Sequence, residues 1–366
     1  MPWSCTARPM ERGPRARVQL KMPPSSPSPE PSLRERLQQA LGASHVIQRE
    51  LGGGGSAHVF LATEVALDRP VVLKVLPSEL ADGVDAARFQ REIQIAARLQ
   101  HPHLVPLLSA GGSDGQTGDT APASLRWYAM PFVDGQTLRE HLHKRGSLPL
   151  PEAIRLLREI ASALAYAHAK GIVHRDIKPE NILLSDGVAM IADFGVAKAL
   201  DDASADAVSS GRRITTVSMT LGTPAYMAPE QVNNSRVVDH KADLYAFACV
   251  AYELLTGAPP LERPSLRATL AAQVSEQPVA LRERRTDVPP ALADVLMRYL
   301  EKDPLRRPHS ASVVVKLLDG LSAGPTASDS PADTPSEQPS TAWRTALVAA
   351  AVPLLAAAAW WVSRGP

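Results

Sequence analysis

The chain has 366 residues, 45% of them apolar, and a formal net charge of +1. It is long enough to bury a sizeable core, and no global charge argues for a nucleic-acid partner. Two distant cysteines, Cys5 and Cys249, exclude a disulfide framework and a cysteine metal site and suit a reducing cytosol. The 33 prolines crowd into both ends, which concentrates the order in the middle.

Residues 1–31 read as a disordered, basic, Pro-rich tail. The run Pro23 to Pro31 builds neither helix nor ladder, and Arg8, Arg12, Arg15, Arg17 and Lys21 outnumber Glu11 and Glu30. Ser32 to Leu41 predicts a short amphipathic helix, with Leu33, Leu37 and Leu41 on one side, Ser32 as N-cap and Gly42 past the end. Residues 32–44 are expected to pack on the domain that follows. Val46 to Leu76 has the pattern of strands, broken by the glycine run 52–55. Glycines there let backbone N–H groups approach phosphate oxygens. Val71 to Leu76 is a buried-strand run holding Lys74, a costly residue there unless paired. Arg88 to Leu99 predicts a helix with Phe89 and Ile93 inward, and Glu92 lies on it. His101-Pro102-His103 reads as a turn and not a metal pair, since no third ligand is near. Gly111 to Ser124 reads as a surface loop. Pro151 to Lys170 predicts a long amphipathic helix ended by Gly171.

The segment that follows carries the chemistry. His174-Arg175-Asp176-Ile177-Lys178-Pro179-Glu180-Asn181 puts a carboxylate, an ammonium and a carboxamide on one short loop. Asp176 can accept a proton from an attacking hydroxyl, Lys178 can hold a phosphate oxygen, and Asn181 can ligate a hard cation. Asp193-Phe194-Gly195 brings a second metal-ligand carboxylate. These are the parts that phosphoryl transfer needs. A Ser/Thr-rich stretch then runs to Gly222-Thr223-Pro224-Ala225-Tyr226-Met227-Ala228-Pro229-Glu230.

Together these motifs resemble the bacterial, PknB-like Ser/Thr kinases of the eukaryotic-type protein kinase family, over residues 45–321. The resemblance implies an α+β, bilobal protein-kinase fold: a small β-rich N-lobe with its αC helix, and a large, mainly helical C-lobe. It implies ATP with Mg²⁺ (or Mn²⁺) and protein substrates bearing Ser or Thr. By it, Lys74 holds the α/β-phosphates and Glu92 holds Lys74, Asp176 is the base, and Lys178 neutralises the transferring phosphoryl group. Asn181 and Asp193 are the metal ligands. Leu51, Val59, Val72, Met130, Val133 and Leu183 surround the adenine. Met130 gates the back of that pocket, and Val133 donates its amide. Pro131 replaces the usual Glu of the connecting segment and keeps the carbonyl that adenine needs. Gly52 and Gly54 match the first two positions of the glycine-rich loop. The third falls on Ala57, a departure expected to weaken nucleotide handling. Thr215, Thr216, Ser218 and Thr220 are candidate autophosphorylation sites for Arg175 to read. Thr223 would help place Asp176 and Lys178. Asp243, on a helix resembling αF, would brace the catalytic loop, and Arg307 would pair with Glu230.

Residues 322–342 read as a disordered Pro/Ser/Thr linker. Residues 343–362 are expected to be one C-terminal transmembrane helix. Ala346 to Val362 is uncharged, with Trp343, Arg344, Trp360, Trp361 and Arg364 as interfacial anchors. Residues 363–366 would emerge as a short tail, with no outside sensor domain. The expected protein is therefore a single-pass cell-membrane kinase with its catalytic domain in the cytoplasm, and a kinase-domain homodimer fits the family. Two other readings compete. A pseudokinase scaffold has Ala57 in its favour and the intact Lys74, Glu92, Asp176, Asn181 and Asp193 against it. A small-molecule kinase is opposed by the complete segment through Glu230.

Overall fold

The computed structural model describes residues 32–54, 57–76, 86–113, 125–194, 224–233 and 238–322. The first helix, α1 (Leu33–Leu41), opens with a capping box. Ser32 Oγ accepts the Glu35 amide, and the Glu35 carboxylate accepts the Ser32 amide at 2.8 Å. Leu37 and Leu41 are buried, and Gln38 bonds the backbone of His45 and Ile47 at 2.8 and 3.0 Å. These bonds tie α1 to β1 (His45–Gly54), which is the edge strand of the sheet.

Next come β2 (Ala57–Glu64), β3 (Arg69–Val75), α2 (Ala86–Ala96), β4 (Ser109–Ser113) and β5 (Leu125–Pro131). The five strands form an antiparallel sheet in the order β1-β2-β3-β5-β4. Alternation along each strand splits the side chains between two faces. Val71, Leu73, Val75, Leu125, Trp127 and Ala129 join Phe60 beneath Leu37 and Leu41 of α1. Val72, Tyr128 and Met130 turn to the other face, where Phe89 and Ile93 of α2 meet them. Both faces of β3 and β5 are therefore covered, which explains why Val71–Val75 and Leu125–Pro131 are apolar apart from Lys74 and Arg126.

Two expectations are corrected. Helix α2 covers 86–96 and not Arg88 to Leu99; a turn at 97–98 closes it before His101. Gly111, Gly112 and Ser113 belong to strand β4 and not to the surface loop expected from Gly111 to Ser124. The glycines allow close pairing: a Cβ at Gly112 would stand 2.2 Å from the Leu125 carbonyl oxygen. His101 and His103 serve as structural anchors, His101 on Ser162 Oγ at 3.3 Å and His103 on the Ala189 carbonyl at 3.0 Å.

Beyond β5 the chain turns at Gly135, whose φ of +152° and close approach to the Leu184 backbone exclude a side chain: a Cβ would lie 2.0 Å from Leu184 O. A small sheet follows, β6 (Gln136–Thr137), β7 (Ile182–Ser185) and β8 (Val188–Ile191). The large lobe is helical: α3 (Leu138–Arg145), α4 (Leu150–Ala169), α5 (Pro229–Val232), α6 (His240–Thr256), α7 (Leu266–Ser275), α8 (Leu281–Arg284), α9 (Pro290–Tyr299) and α10 (Ser312–Ser322). Every residue of α6 from Ala242 to Leu255 is buried, so this helix is enclosed on all sides and runs through the lobe's centre. Cys249 sits on it, fully enclosed, and burial pushes its thiol well above its ordinary value. No helix among the described residues is long and apolar enough to cross a membrane. The tail 1–31 and residues 323–366, which include the expected span, lie outside the described residues.

Candidate active site

Helix α4 delivers the chain through Gly171 to the loop 174–181, which the structure holds by its backbone. Asp243 Oδ2 accepts the His174 amide at 2.8 Å and Oδ1 accepts the Arg175 amide at 2.7 Å. His168 adds a third donor, Nε2 to Oδ2 at 2.8 Å. Burial works to raise the Asp243 carboxyl, but His168 and the backbone donors win and hold it below its ordinary value. These bonds matter because Arg175 has φ +70°, a strained conformation for a side chain with a Cβ. Gln231 of α5 donates to the Arg175 carbonyl at 2.8 Å from the other side.

His174 is 1% exposed and links the loop to the 192–194 segment. Its Nε2 donates to the Ala192 carbonyl at 2.8 Å, and its Nδ1 accepts the Asp176 amide at 3.1 Å. Its ring meets Phe194 edge-on at 4.6 Å. Asn181 makes the second link. Its Nδ2 donates to the Asp176 carbonyl and to Oδ2 at 2.8 and 3.0 Å, while its own carbonyl accepts the Ala192 amide at 2.9 Å. Lys178 Nζ lies 2.7 Å from Asp176 Oδ2. Asp176, Lys178, Asn181 and Asp193 thus share one frame.

Asp193, at φ +64°, is largely enclosed. Lys74 Nζ reaches its Oδ2 at 2.8 Å and the Tyr128 hydroxyl donates to Oδ1 at 2.7 Å. Burial alone would raise this carboxyl, yet the charge and hydrogen bond of Lys74, with Tyr128, keep it below its ordinary value. Lys74, which the resemblance pairs with Glu92, is seen here on Asp193. An enclosed carboxylate needs a counter-charge, and Lys74 is a cation that reaches it. Asp193 and Asn181 offer hard oxygen donors, the set that suits Mg²⁺ or Mn²⁺. Both amide-hydrogen contacts of Asn181 go to Asp176, which keeps its carboxamide oxygen as an acceptor.

The adenine-side residues also gather. Val72, Met130, Val133 and Leu183 join one apolar cluster with Tyr128, Phe89, Ile93 and Ala192. Val59 is half-buried, Leu51 is exposed, and Ala57 is buried. Gly52 pairs with Val59 and Gly54 with Ala57, so Ala57 stands at the start of β2 as part of the hairpin. Arg307 forks onto Glu230 at 2.6 and 2.8 Å. Thr215, Thr216, Ser218, Thr220 and Thr223 lie outside the described residues.

Sequence reasoning missed two groups. Tyr128 sits in an apolar run that marks only a strand. The second group centres on Arg139 of α3, which donates to Glu180 at 2.9 Å, to Glu253 of α6 at 2.6 Å, and to the Tyr226 hydroxyl. Tyr226 donates in turn to Glu253 at 2.5 Å. Burial pulls Arg139 down, but its bonds to Glu253 and Glu180 hold it above its ordinary value. Only Glu180 and Tyr226 lie within recognisable motifs, and nothing local marks Arg139 or Glu253.

Comparison with known proteins agrees with this geometry. The family described as protein kinase domain matches residues 45–317. The chain is 37% identical over 276 residues to serine/threonine-protein kinase PknB of Mycolicibacterium smegmatis, covering 75% of this chain and 42% of that protein. It is 35% identical to pkn3 of Myxococcus xanthus, covering 77% and 50%, and 38% identical to PknF of Mycobacterium tuberculosis, covering 72% and 53%. The chain thus spans about half the length of these curated relatives. The crystal structure of the Mycobacterium tuberculosis PknI kinase domain superposes with a TM-score of 0.57 at 30% identity, covering 77% of this chain and 96% of that one. The chain belongs to the protein kinase family, with its small β-rich and large helical lobes.

Proposed function

We propose that this chain is a serine/threonine protein kinase, moving the γ-phosphoryl group of ATP to Ser and Thr hydroxyls of proteins. The observation that supports it best is the double bonding of Asn181, by side chain to Asp176 and by backbone to Ala192, the neighbour of Asp193. That arrangement ties a base to two metal ligands before any substrate arrives. Asp176 takes the hydroxyl proton as the substrate oxygen bonds to the γ-phosphorus and the bridging bond to ADP breaks. Lys178, 2.7 Å from Asp176, sets a positive charge beside the reacting groups. Asn181 and Asp193 would hold Mg²⁺ or Mn²⁺, which supplies charge neutralisation on the phosphates when bound. Val72, Met130, Val133 and Leu183 give adenine an apolar slot. The names of the relatives support the Ser/Thr class.

The test is phosphate incorporation from labelled ATP and Mg²⁺ into the full-length protein and a generic basic protein. Asp176→Asn is expected to lower it by about 10²- to 10⁴-fold, and Lys74→Met to lower it as well. If the unmodified protein incorporates no more than the variants, the chain is a scaffold and the catalytic reading fails. Phosphopeptide mapping of the same reaction checks whether Thr215, Thr216, Ser218 or Thr220 receives the label.

The same reading places the chain at the cell membrane through residues 343–362, with the kinase domain cytoplasmic and free to pair with a second copy. The uncharged run Ala346 to Val362 and its flanking Trp and Arg residues support it. Full-length protein is expected to stay with membranes through a carbonate wash while 1–341 is released. Equal release of the two would sink the anchor.

A further inference from the structure

Tyr128 is 1% exposed and lies on β5 directly opposite Lys74 of β3. Residues paired across antiparallel strands share a face, so the two side chains leave the sheet together. They end on the two oxygens of one carboxylate: Lys74 Nζ 2.8 Å from Asp193 Oδ2, and the Tyr128 hydroxyl 2.7 Å from Oδ1. The Tyr128 ring is packed by Leu76, Phe89, Ile93, Val105, Met130 and Ala192, all apolar. A phenylalanine would satisfy that packing equally well. What the hydroxyl adds is its bond to Asp193, and a buried hydroxyl must find such a partner.

We propose that Tyr128 is a positioning residue for metal binding: its hydroxyl fixes the rotation of the Asp193 carboxylate and so sets the direction in which it meets a divalent cation. The proposal rests on the kinase reading above and deepens it. Asp193 needs such a hold because its backbone, at φ +64°, sits in a strained region. A carboxylate offers about four acceptor positions, so one hydrogen bond on Oδ1 leaves room for both Lys74 and a cation. Lys74 is drawn off by phosphate in this reading, whereas Tyr128 has no role on the substrate and stays. Outer partners of metal ligands act in this way, and their loss costs about 10- to 100-fold in metal affinity.

The experiment uses the full-length chain and reads Mn²⁺ binding by electron paramagnetic resonance, with a non-hydrolysable ATP analogue present. Tyr128→Phe is expected to weaken Mn²⁺ by about 10- to 100-fold. Its affinity for the analogue without metal and its melting temperature are expected to stay near those of the unmodified protein. A second hydroxyl-free variant, Tyr128→Leu, is expected to weaken Mn²⁺ in step. Unchanged or tighter Mn²⁺ binding in either folded variant overturns the proposal, as does an equal loss of metal-free analogue binding, which would mark a packing role. Asp193→Asn separates the two readings. If it abolishes Mn²⁺ binding while Tyr128→Phe leaves it unchanged, only the role of Tyr128 fails. If the unmodified protein and Asp193→Asn bind Mn²⁺ alike, the kinase reading fails and takes this one with it.

Discussion

Lys302 is a cation placed where water is scarce. Its Nζ donates to the Tyr245 hydroxyl at 3.0 Å, with Arg307 stacked over the same ring. Burial, reinforced by Arg307, pulls it from the ordinary 10.5 to about 8. The folded value is the lower one, so between pH 8 and 10.5 the unfolded chain binds more protons. Stability from this group therefore rises with pH across that window. The measurement is the melting temperature of the unmodified protein minus that of Lys302→Met. This difference is expected to climb from about pH 8 to about pH 10 and to be flat below about pH 7. The comparison with the variant matters because Tyr299, raised by burial to about 12, works the other way above its ordinary value of 10.0. Asp243 is the acid counterpart. Its lowered value gives stability that is full above the ordinary carboxylate range and is lost as pH falls through the folded value. Asp243→Asn is expected to cost about 1.5–3 kcal/mol in urea unfolding, the range for hydrogen bonds to a charged group.

Between elements, the Arg139 cluster joins α3, the catalytic loop, the segment at Tyr226 and α6 through one guanidinium. Glu253 is 3% exposed, so removing Arg139 strands a buried carboxylate. Arg139→Met is expected to cost about 3–5 kcal/mol, read by urea unfolding, and adding Glu253→Gln should restore much of it. This cluster also marks where the sequence stops being readable. Asp176, Asn181 and Asp193 were legible because their chemistry is packed into a few residues at fixed spacing. Glu230 and Arg307 were legible only through motif resemblance. Arg139 and Glu253 lie 114 positions apart and each looks like an ordinary helix residue. Tyr128 was hidden for another reason: in a strand covered on both faces, period 2 gives no hint of which face leads to the site. Glycine composition misled at β4, where Gly111 and Gly112 serve close strand pairing instead of a turn.

Across the molecule, the apolar interior divides. One cluster fills the large lobe around α4 and α6, and two smaller ones lie on the faces of the small-lobe sheet. The lobes meet through Lys74 and Tyr128 on Asp193 and through Val105 N on Ile191 O at 2.9 Å. Separate cores predict separate local stabilities. Leu37 is 0% exposed in the small-lobe cluster, and Leu37→Ala is expected to cost that lobe about 2–5 kcal/mol. Hydrogen exchange should then speed up in β1, β2 and β3 while α6 keeps its protection. Equal acceleration in both lobes would show a single cooperative unit.

Cys249, enclosed at the middle of α6 with its thiol pushed up by burial, gives the large lobe a built-in chemical clock. A thiol reagent needs the thiolate and a path to it, and the folded helix denies both. In a Cys5→Ser background, the rate at which such a reagent consumes Cys249 should therefore time the opening of α6, without any label having to be introduced. Ligands that tighten the large lobe would lengthen that time, and the lag could be read from a colour change in a plate well.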